Sequence, residues 1–144
     1  ACPNRNLIIA DTHPGIGPIS LDVLSRARLT LIVSTPEPTA LTDTYAIFKV
    51  LGEREARGPA GLVINQAITQ EQAHEAAAHL DSVARRFLGR GIAYWGHVPQ
   101  DGTVPRVVRQ QRALLTAAPR SAAAQSIRQI AASIAGLLEK REQG

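Results

Sequence analysis

The chain has 144 residues, 44% of them hydrophobic and 3% aromatic, which suits one domain with a core of aliphatic side chains. A single cysteine, Cys2, excludes an internal disulfide, and no cysteine–histidine spacing typical of zinc sites occurs, so we expect a reducing, cytoplasmic setting. No apolar run has the length of a membrane span and the N-terminus lacks a signal-peptide pattern, so the sequence predicts a soluble protein.

The charge balance is basic, with a formal net charge of +4, a sequence pI near 10.0 and arginine as the main cation. Such a balance favours contact with nucleic acid, anionic lipid or nucleotide phosphates. The alternative is an arginine-rich surface that is only solvated. Aromatic residues do not alternate with the basic ones, so a stacking platform for single strands is not expected and DNA binding is the less favoured interpretation.

Four short apolar runs alternate with amphipathic segments, a pattern typical of βα units around a parallel sheet. We expect a strand at each run, and we expect at least the first three to be buried on both faces because their apolar residues are consecutive. In open α/β sheets ligands bind beyond the carboxyl ends of the strands, so the loops after these runs should line one rim. The runs cover residues 7–10, 29–33, 61–64 and 92–98.

Four helices are predicted between and after these runs. Each begins at a residue that can cap a helix, and one carries the capping-box pattern of a threonine followed by a glutamine. Their expected extents are from a Thr39 cap to about Arg57, from Thr69 to Gly89, over residues 102–115, and from Ser121 along a C-terminal apolar stripe.

The last predicted helix has two interpretations. Its apolar stripe contains isoleucine, leucine and alanine without tryptophan or phenylalanine, and its polar face bears Glu139 and Glu142. Packing on the core is therefore favoured over an amphipathic membrane anchor. Peripheral membrane contact is expected only through sequence that is not present.

Polar residues after the first run suggest phosphate chemistry. Asp11 follows a predicted strand, where a carboxylate can hold a Mg²⁺-bound water beside a phosphate. Gly15 can bring its backbone amide close to a terminal phosphate because it has no side chain. A turn or a helix cap is the alternative role for Asp11.

Polar residues after the third and fourth runs could hold a base. Asn65 offers a donor and an acceptor, the pair needed to bind an adenine edge, although an ordinary Asx turn is equally compatible. Pro99 and Asp101 follow the fourth run, where a rigid loop could hold base and ribose. Asp101 could also cap the next helix, and the two roles are compatible.

Six stretches taken in order carry a family resemblance. The most distinctive is T-P-E-P-T-A-L-T-D-T-Y-A-I-F-K at 35–49, similar to a P-E-P-T-x-x-T-D-A-Y-A-L-I-K segment, and I-A-D-T-H-P-G-I at 9–16 is similar to a D-T-x-A-G-I loop. R-F-L at 86–88, Y-W-G-H-V-P-Q-D at 94–101, V-V-R-Q-Q-R-A at 107–113 and P-R-S at 119–121 continue the match. The chain thereby resembles the C-terminal part of the MinD/ParA class of deviant Walker A ATPases, above all flagellar-number regulators of the FlhG or FleN type.

The resemblance implies an α/β fold: a partial doubly wound parallel sheet of the P-loop NTPase type, with about four strands and flanking helices, and 1–144 as a single domain. It implies that Asp11 lies near Mg²⁺ through a water, Gly15 near the γ-phosphate and Asn65 at the adenine, with Pro99 and Asp101 at base and ribose. ATP and Mg²⁺ are the implied cofactors. Implied partners are a flagellar transcriptional activator or a partner GTPase, and a second copy in the full-length family.

The chain departs from the family in its phosphate loop. The K-G-G-x-G-K-[ST] loop and the water-orienting aspartate lie upstream of these motifs in the family, and neither lysine here, Lys49 or Lys140, follows such a loop. Pro14 and Gln66 also replace usual residues. Phosphoryl transfer depends on positioning and charge stabilisation, so we expect no ATP hydrolysis by this chain alone.

The missing loop also bears on the sheet. In the family the P-loop strand lies between the strands equivalent to 7–10 and 29–33, so its absence leaves two edges unpaired and favours a fragment of a longer protein. Two alternatives remain open: a partner-binding module independent of nucleotide, and a ParA-like protein that associates with DNA through Arg106, Arg109 and Arg112.

Overall fold

The computed structural model describes residues 7–13, 15, 17–54 and 58–142. Within them, helices flank a three-stranded parallel sheet in the order β1–β2–β3, which confirms the α/β class. Cys2, Pro14 and Arg57 lie outside the described residues. The elements are α1 (Pro18–Arg26), β1 (Thr30–Ser34), α2 (Pro38–Glu53), β2 (Ala60–Ala67), α3 (Gln70–Leu88), β3 (Ala93–Pro99), α4 (Thr103–Arg109), α5 (Leu114–Ala117) and α6 (Ala122–Glu142).

The central strand β2 is buried on both faces, as predicted for residues 61–64. Leu62 and Ile64 are fully buried in a core formed with α2 and α3. Strand β1 differs from the prediction because its burial alternates, with Leu31 42% and Val33 56% exposed. Helix α2 packs against β1 from one side, whereas α6 lies against β3 at the opposite edge of the sheet, so the second face of β1 stays open.

The first apolar run is not a strand, so the sheet has three strands among the described residues and the expected fourth is wrong. Leu7, Ile8 and Ile9 are 68%, 89% and 83% exposed and belong to no regular element. A strand persists when its backbone N–H and C=O groups find partners. No segment in the described part of the chain pairs with this run.

Helix α2 begins earlier than predicted. Pro38 occupies its first turn, where a missing N–H has little consequence, and Glu37 rather than Thr39 holds the N-cap position. The helix ends at Glu53. Helix α1 was not predicted, although Pro18 in its first turn was an available signal.

The predicted caps of the two longest helices are confirmed. The Gln72 backbone N–H donates to Thr69 Oγ1 at 3.1 Å, and α3 stops at Gly89 in the left-handed region with φ 67°. The Ala124 N–H donates to Ser121 Oγ at 3.2 Å at the start of α6.

The single helix predicted over 102–115 is wrong, because α4 and α5 divide this segment. Gln111 has φ 52°, and its N–H donates to Val108 O at 2.9 Å while the Arg112 N–H donates to Val107 O at 3.3 Å. This pair of bonds is the Schellman closure of a helix. Glycine usually marks that position, and glutamine gives no such signal.

A carboxylate joins the loop after β3 to two helices. Asp101 Oδ1 accepts the Thr103 N–H of α4 at 2.8 Å, and Oδ2 accepts the Ala123 N–H in the first turn of α6 at 3.1 Å. These backbone hydrogen bonds, the one from Thr103 first, hold the pKa of Asp101 below its ordinary value. Gly102 rather than Asp101 holds the N-cap position of α4, but the Asp101 carboxylate still accepts from the first turn of that helix and from α6, which the sequence did not indicate.

No helix in the described ranges combines the length and apolarity needed to cross a bilayer.

The close approach of Trp95 to Gly61 yields a stability prediction. A Cβ on Gly61 would overlap the Trp95 indole, whereas one on Gly136 in α6 would meet open space. We expect Gly61→Ala to lower the free energy of unfolding by about 1–3 kcal/mol. The control Gly136→Ala should raise it by roughly 0.5–1 kcal/mol, since glycine disfavours helix. Urea unfolding measures both, and equal effects of the same sign would contradict the packing described.

Removing the Asp101 carboxylate should loosen α4 and α6 together. Asp101→Ala leaves two backbone donors without acceptors, so we expect a loss of about 1–2 kcal/mol in the free energy of unfolding. Asp22→Ala is the matched control, because the Asp22 carboxylate forms an exposed ion pair with Arg26 one helical turn away. Amide hydrogen exchange should show faster exchange in the first turns of both α4 and α6 in Asp101→Ala; acceleration in α4 alone would contradict the double contact.

The lowered pKa of Asp101 sets a pH dependence. Its contribution to stability is present above the ordinary aspartate pKa of about 3.9 and is lost as the pH falls through the lower folded pKa. The difference in free energy of unfolding between the chain and Asp101→Asn should therefore stay constant near neutral pH and shrink below about pH 4. Urea titrations across this range measure it, and a difference that widens on acidification would refute the assignment.

Candidate functional site

A cavity of about 460 Å³ opens at the carboxyl ends of β1 and β2. Its volume falls within the roughly 300–1,000 Å³ typical of small-molecule pockets. It draws on three separate parts of the chain: the segment before α1, the end of β1 with the adjoining face of α2, and the end of β2. The lining residues are Gly15, Val33, Ser34, Thr35, Ala40, Asp43, Thr44, Ala46, Ile47 and Asn65.

Asn65 reaches this cavity from the end of β2. The next residue, Gln66, is a bulge with φ 59°, and its N–H donates to Asn65 Oδ1 at 3.0 Å. This bond comes from the next residue and not from the residue two positions on, so it is not the Asx turn that was the alternative interpretation of Asn65. Among the described residues the Asn65 amide Nδ2 donates to no protein acceptor, so a hydrogen-bond donor faces the site region without competition.

Gly15 lines the same cavity in a conformation that favours glycine. Its φ is 99°, and a Cβ there would meet nothing within 4 Å, so backbone geometry rather than crowding explains the residue. The structure thus brings Gly15 and Asn65 together, as the expected shared rim requires.

Two lining residues of α2, Asp43 and Thr44, received no role from the sequence. Asp43 is exposed and Thr44 is buried, so the helix presents a carboxylate at the cavity and a hydroxyl within its wall. Helical periodicity could show that both lie on α2, but the direction in which α2 faces depends on tertiary packing.

Asp11 does not line the cavity and lies exposed in the irregular segment before α1. In the described residues no group of three or more histidine, cysteine, aspartate or glutamate side chains could hold a metal ion. Mg²⁺ commonly uses one or two carboxylates and takes its other ligands from water and phosphate. Asp11 alone fits that pattern only when phosphate oxygens supply the remaining ligands.

The loop after β3 is fixed beside the cavity without lining it. The Gln100 N–H donates to Ala67 O at 2.8 Å, which anchors the loop to the end of β2. Both Asp101 oxygens are already hydrogen-bonded to helix N–H groups, and neither Pro99 nor Asp101 is among the lining residues. Their contact with base and ribose stays a prediction.

The sequence did not predict a cluster of one tyrosine and two histidine rings between α3 and β3. Tyr94 Oη lies 3.3 Å from His97 Nδ1, and the His74 ring centroid is 5.2 Å from that of Tyr94 and 6.3 Å from that of His97. Burial raises the pKa of Tyr94. Glu71 lies on α3, as His74 does, and a hydrogen bond from its own backbone N–H is the main cause that lowers the pKa of its carboxyl group.

Comparison with known proteins places these features in context. No protein-family model matches the chain. It is 31% identical over 131 residues to the antiactivator FleN of Pseudomonas aeruginosa, covering 91% of this chain and 47% of that protein. It is 29% identical over 133 residues to the flagellum site-determining protein YlxH of Helicobacter pylori, covering 92% and 45%.

The fold has a solved counterpart. The structure of the cell division protein MinD from Aquifex aeolicus superposes with a TM-score of 0.61 at 18% identity, covering 78% of this chain and 46% of MinD. The chain spans just under half the length of the curated flagellar relatives that it matches. It is accordingly a relative of FleN and FlhG in the MinD/ParA class, with a MinD-like α/β fold.

Proposed function

We propose that this chain supplies the adenine-facing side of an ATP site in a flagellar regulator of the FleN/FlhG type. The observation that carries the proposal is the meeting of Asn65 and Gly15 at one cavity beyond the carboxyl ends of β1 and β2. Ligands bind at this edge in open α/β sheets. The motif resemblance assigns these two residues to adenine and to the γ-phosphate.

The cavity walls suit a purine. Val33, Ala46 and Ile47 offer apolar surface for the faces of a base, and Asn65 offers a donor and an acceptor in its plane. Ala40 and Thr35 complete the mouth between β1 and α2. Binding here uses shape and a few oriented hydrogen bonds, and Asp43 is the one charged residue among the described lining residues.

The triphosphate needs groups that this sequence does not supply. It has no G-x-x-x-x-G-K-[ST] loop, so no run of glycine amides and lysine is available to hold phosphate oxygens. Among the described strands β1 pairs only with β2, so its other edge is available to a further strand that carries such a loop. We therefore propose that sequence outside this chain completes the site, and that this chain alone hydrolyses no ATP.

The proposed biological role follows the relatives. FleN is described as an antiactivator and YlxH as a flagellum site-determining protein. A chain of this kind would help to set flagellar number or placement through a protein partner, as part of an ATP-dependent dimer that uses Mg²⁺. The partner's class, a transcriptional activator or a GTPase, is part of the same proposal.

Comparing adenosine with ATP tests the site. If the chain holds the purine but not the triphosphate, adenosine and Mg²⁺–ATP should bind with affinities within about tenfold of each other. A phosphate loop would add several kcal/mol to the binding of ATP, and this sequence has none. Isothermal titration calorimetry measures both. Asn65→Ala should weaken both ligands about tenfold through the lost hydrogen bonds. The control is Gln129→Ala, because Gln129 lines a separate cleft beside β3. This substitution should change neither the adenosine affinity nor the ATP affinity.

Two outcomes would overturn the proposal. ATP binding more than about a hundredfold tighter than adenosine would mean that these residues hold the triphosphate themselves. ATP turnover by the purified chain that disappears in Asp11→Ala would show a complete catalytic site.

A further inference from the structure

The basic charge of the chain is concentrated in its last third. Residues 102–138 contain five arginines and no acidic residue, whereas residues 1–101 contain nine basic and ten acidic residues. The net positive charge of the whole chain therefore comes from the part that begins with α4, including the loops on either side of α5. Such segregation creates a local positive potential that attracts anionic partners.

Four of these arginines define an arginine surface together with two apolar residues. All four guanidinium side chains are exposed, and Val108 and Leu115 of the same segment are 64% and 40% exposed. Val108 separates two of the arginines along the chain, and Leu115 lies on α5. The arginines are Arg106, Arg109, Arg112 and Arg120.

The fifth arginine holds this surface together. Arg128 on α6 donates from Nη1 to Pro119 O at 2.5 Å and from Nη2 to Leu115 O at 3.2 Å. The Arg112 N–H donates to Val107 O at 3.3 Å, which keeps the segment between α4 and α5 in place. The backbone that carries the arginine surface is thus fixed before any partner arrives.

The four surface arginines have no acidic partner among the described residues. The ion pairs found there join Arg26 to Asp22, Lys49 to Glu53 and Arg85 to Asp81, all on other helices. Grouped cations without carboxylates repel one another. A ligand that brings several negative charges would relieve this repulsion.

The apolar residues favour a protein over a nucleic acid or a lipid headgroup. Phosphates of duplex DNA bind basic side chains without covering apolar neighbours. Covering Val108 and Leu115 requires a partner that brings apolar groups next to its anions. Arginine is enriched and lysine depleted in protein interfaces, and the planar guanidinium pairs with carboxylates through two hydrogen bonds.

We propose that the arginine surface binds an acidic segment of a partner protein. Glutamate or aspartate side chains of the segment pair with Arg106, Arg109, Arg112 and Arg120, and an apolar side chain covers Val108 and Leu115. The surface extends from α4 to the loop before α6, and none of its residues lines the candidate nucleotide cavity. This binding therefore goes beyond the nucleotide function and does not depend on it.

A synthetic peptide tests the proposal directly. The probe is a fluorescent amphipathic helix with glutamates along one side and leucines at its centre, titrated with the whole chain while anisotropy is recorded. Arg106→Glu/Arg109→Glu should weaken binding at least about tenfold, since two charge-assisted pairs become repulsive. Arg86→Glu, an equal change per residue on α3, should leave the affinity within about twofold.

A second variant separates a protein partner from other polyanions. Val108→Ser should weaken the peptide severalfold while leaving a short DNA duplex and phosphatidylserine vesicles unaffected. Circular dichroism checks folding, and Arg106→Gln/Arg109→Gln replaces the charge reversal if that variant unfolds. The proposal is wrong if the duplex or the vesicles bind more tightly than the peptide, if Arg86→Glu matches the double variant, or if the peptide does not bind.

Discussion

The rest of the structure depends on the parallel pairing of β2 with a strand on each side. Ile32 pairs with Leu62 on one side and Leu62 with Tyr94 on the other, so β2 is buried while its neighbours form the edges of the sheet. The carboxyl ends of parallel strands lie on the same side of the sheet, and the loops that follow them therefore meet there. The candidate cavity exists because Thr35 and Asn65 leave adjacent strands side by side.

Sequence patterns predicted the elements whose stability is local. Consecutive apolar residues marked β2, and the Thr69 and Ser121 caps marked where α3 and α6 begin, because each signal reflects bonds within a few residues. The patterns failed where contacts between segments far apart in the sequence determine whether an element forms and which of its faces is buried. The apolar run at 7–10 has the composition of a strand, but in the described part of the chain it finds no strand to pair with and no layer covers one face of β1.

The candidate site shows the same division. Chemical type and position after a strand were enough to single out Gly15 and Asn65, which share the cavity. They could not show that both Asp101 oxygens are committed to helix N–H groups, because Ala123 lies far along the chain. Asp43 and Thr44 were missed since only packing orients α2. Asp101 now links the loop beside the cavity to α6, whose Arg128 braces the arginine surface.

Nuclear magnetic resonance with adenosine tests the central claim most directly, because the Asn65 side-chain amide and the Gly15 backbone amide give separate signals. The account predicts that adenosine shifts the Asn65 signal, together with residues at the ends of β1 and β2, more than the Gly15 signal, which belongs to the γ-phosphate side, and leaves Arg106, Arg109 and Arg112 unchanged. Shifts confined to α4 and α5, or none at Asn65 at saturating adenosine, would show that the edge of the sheet does not hold the base.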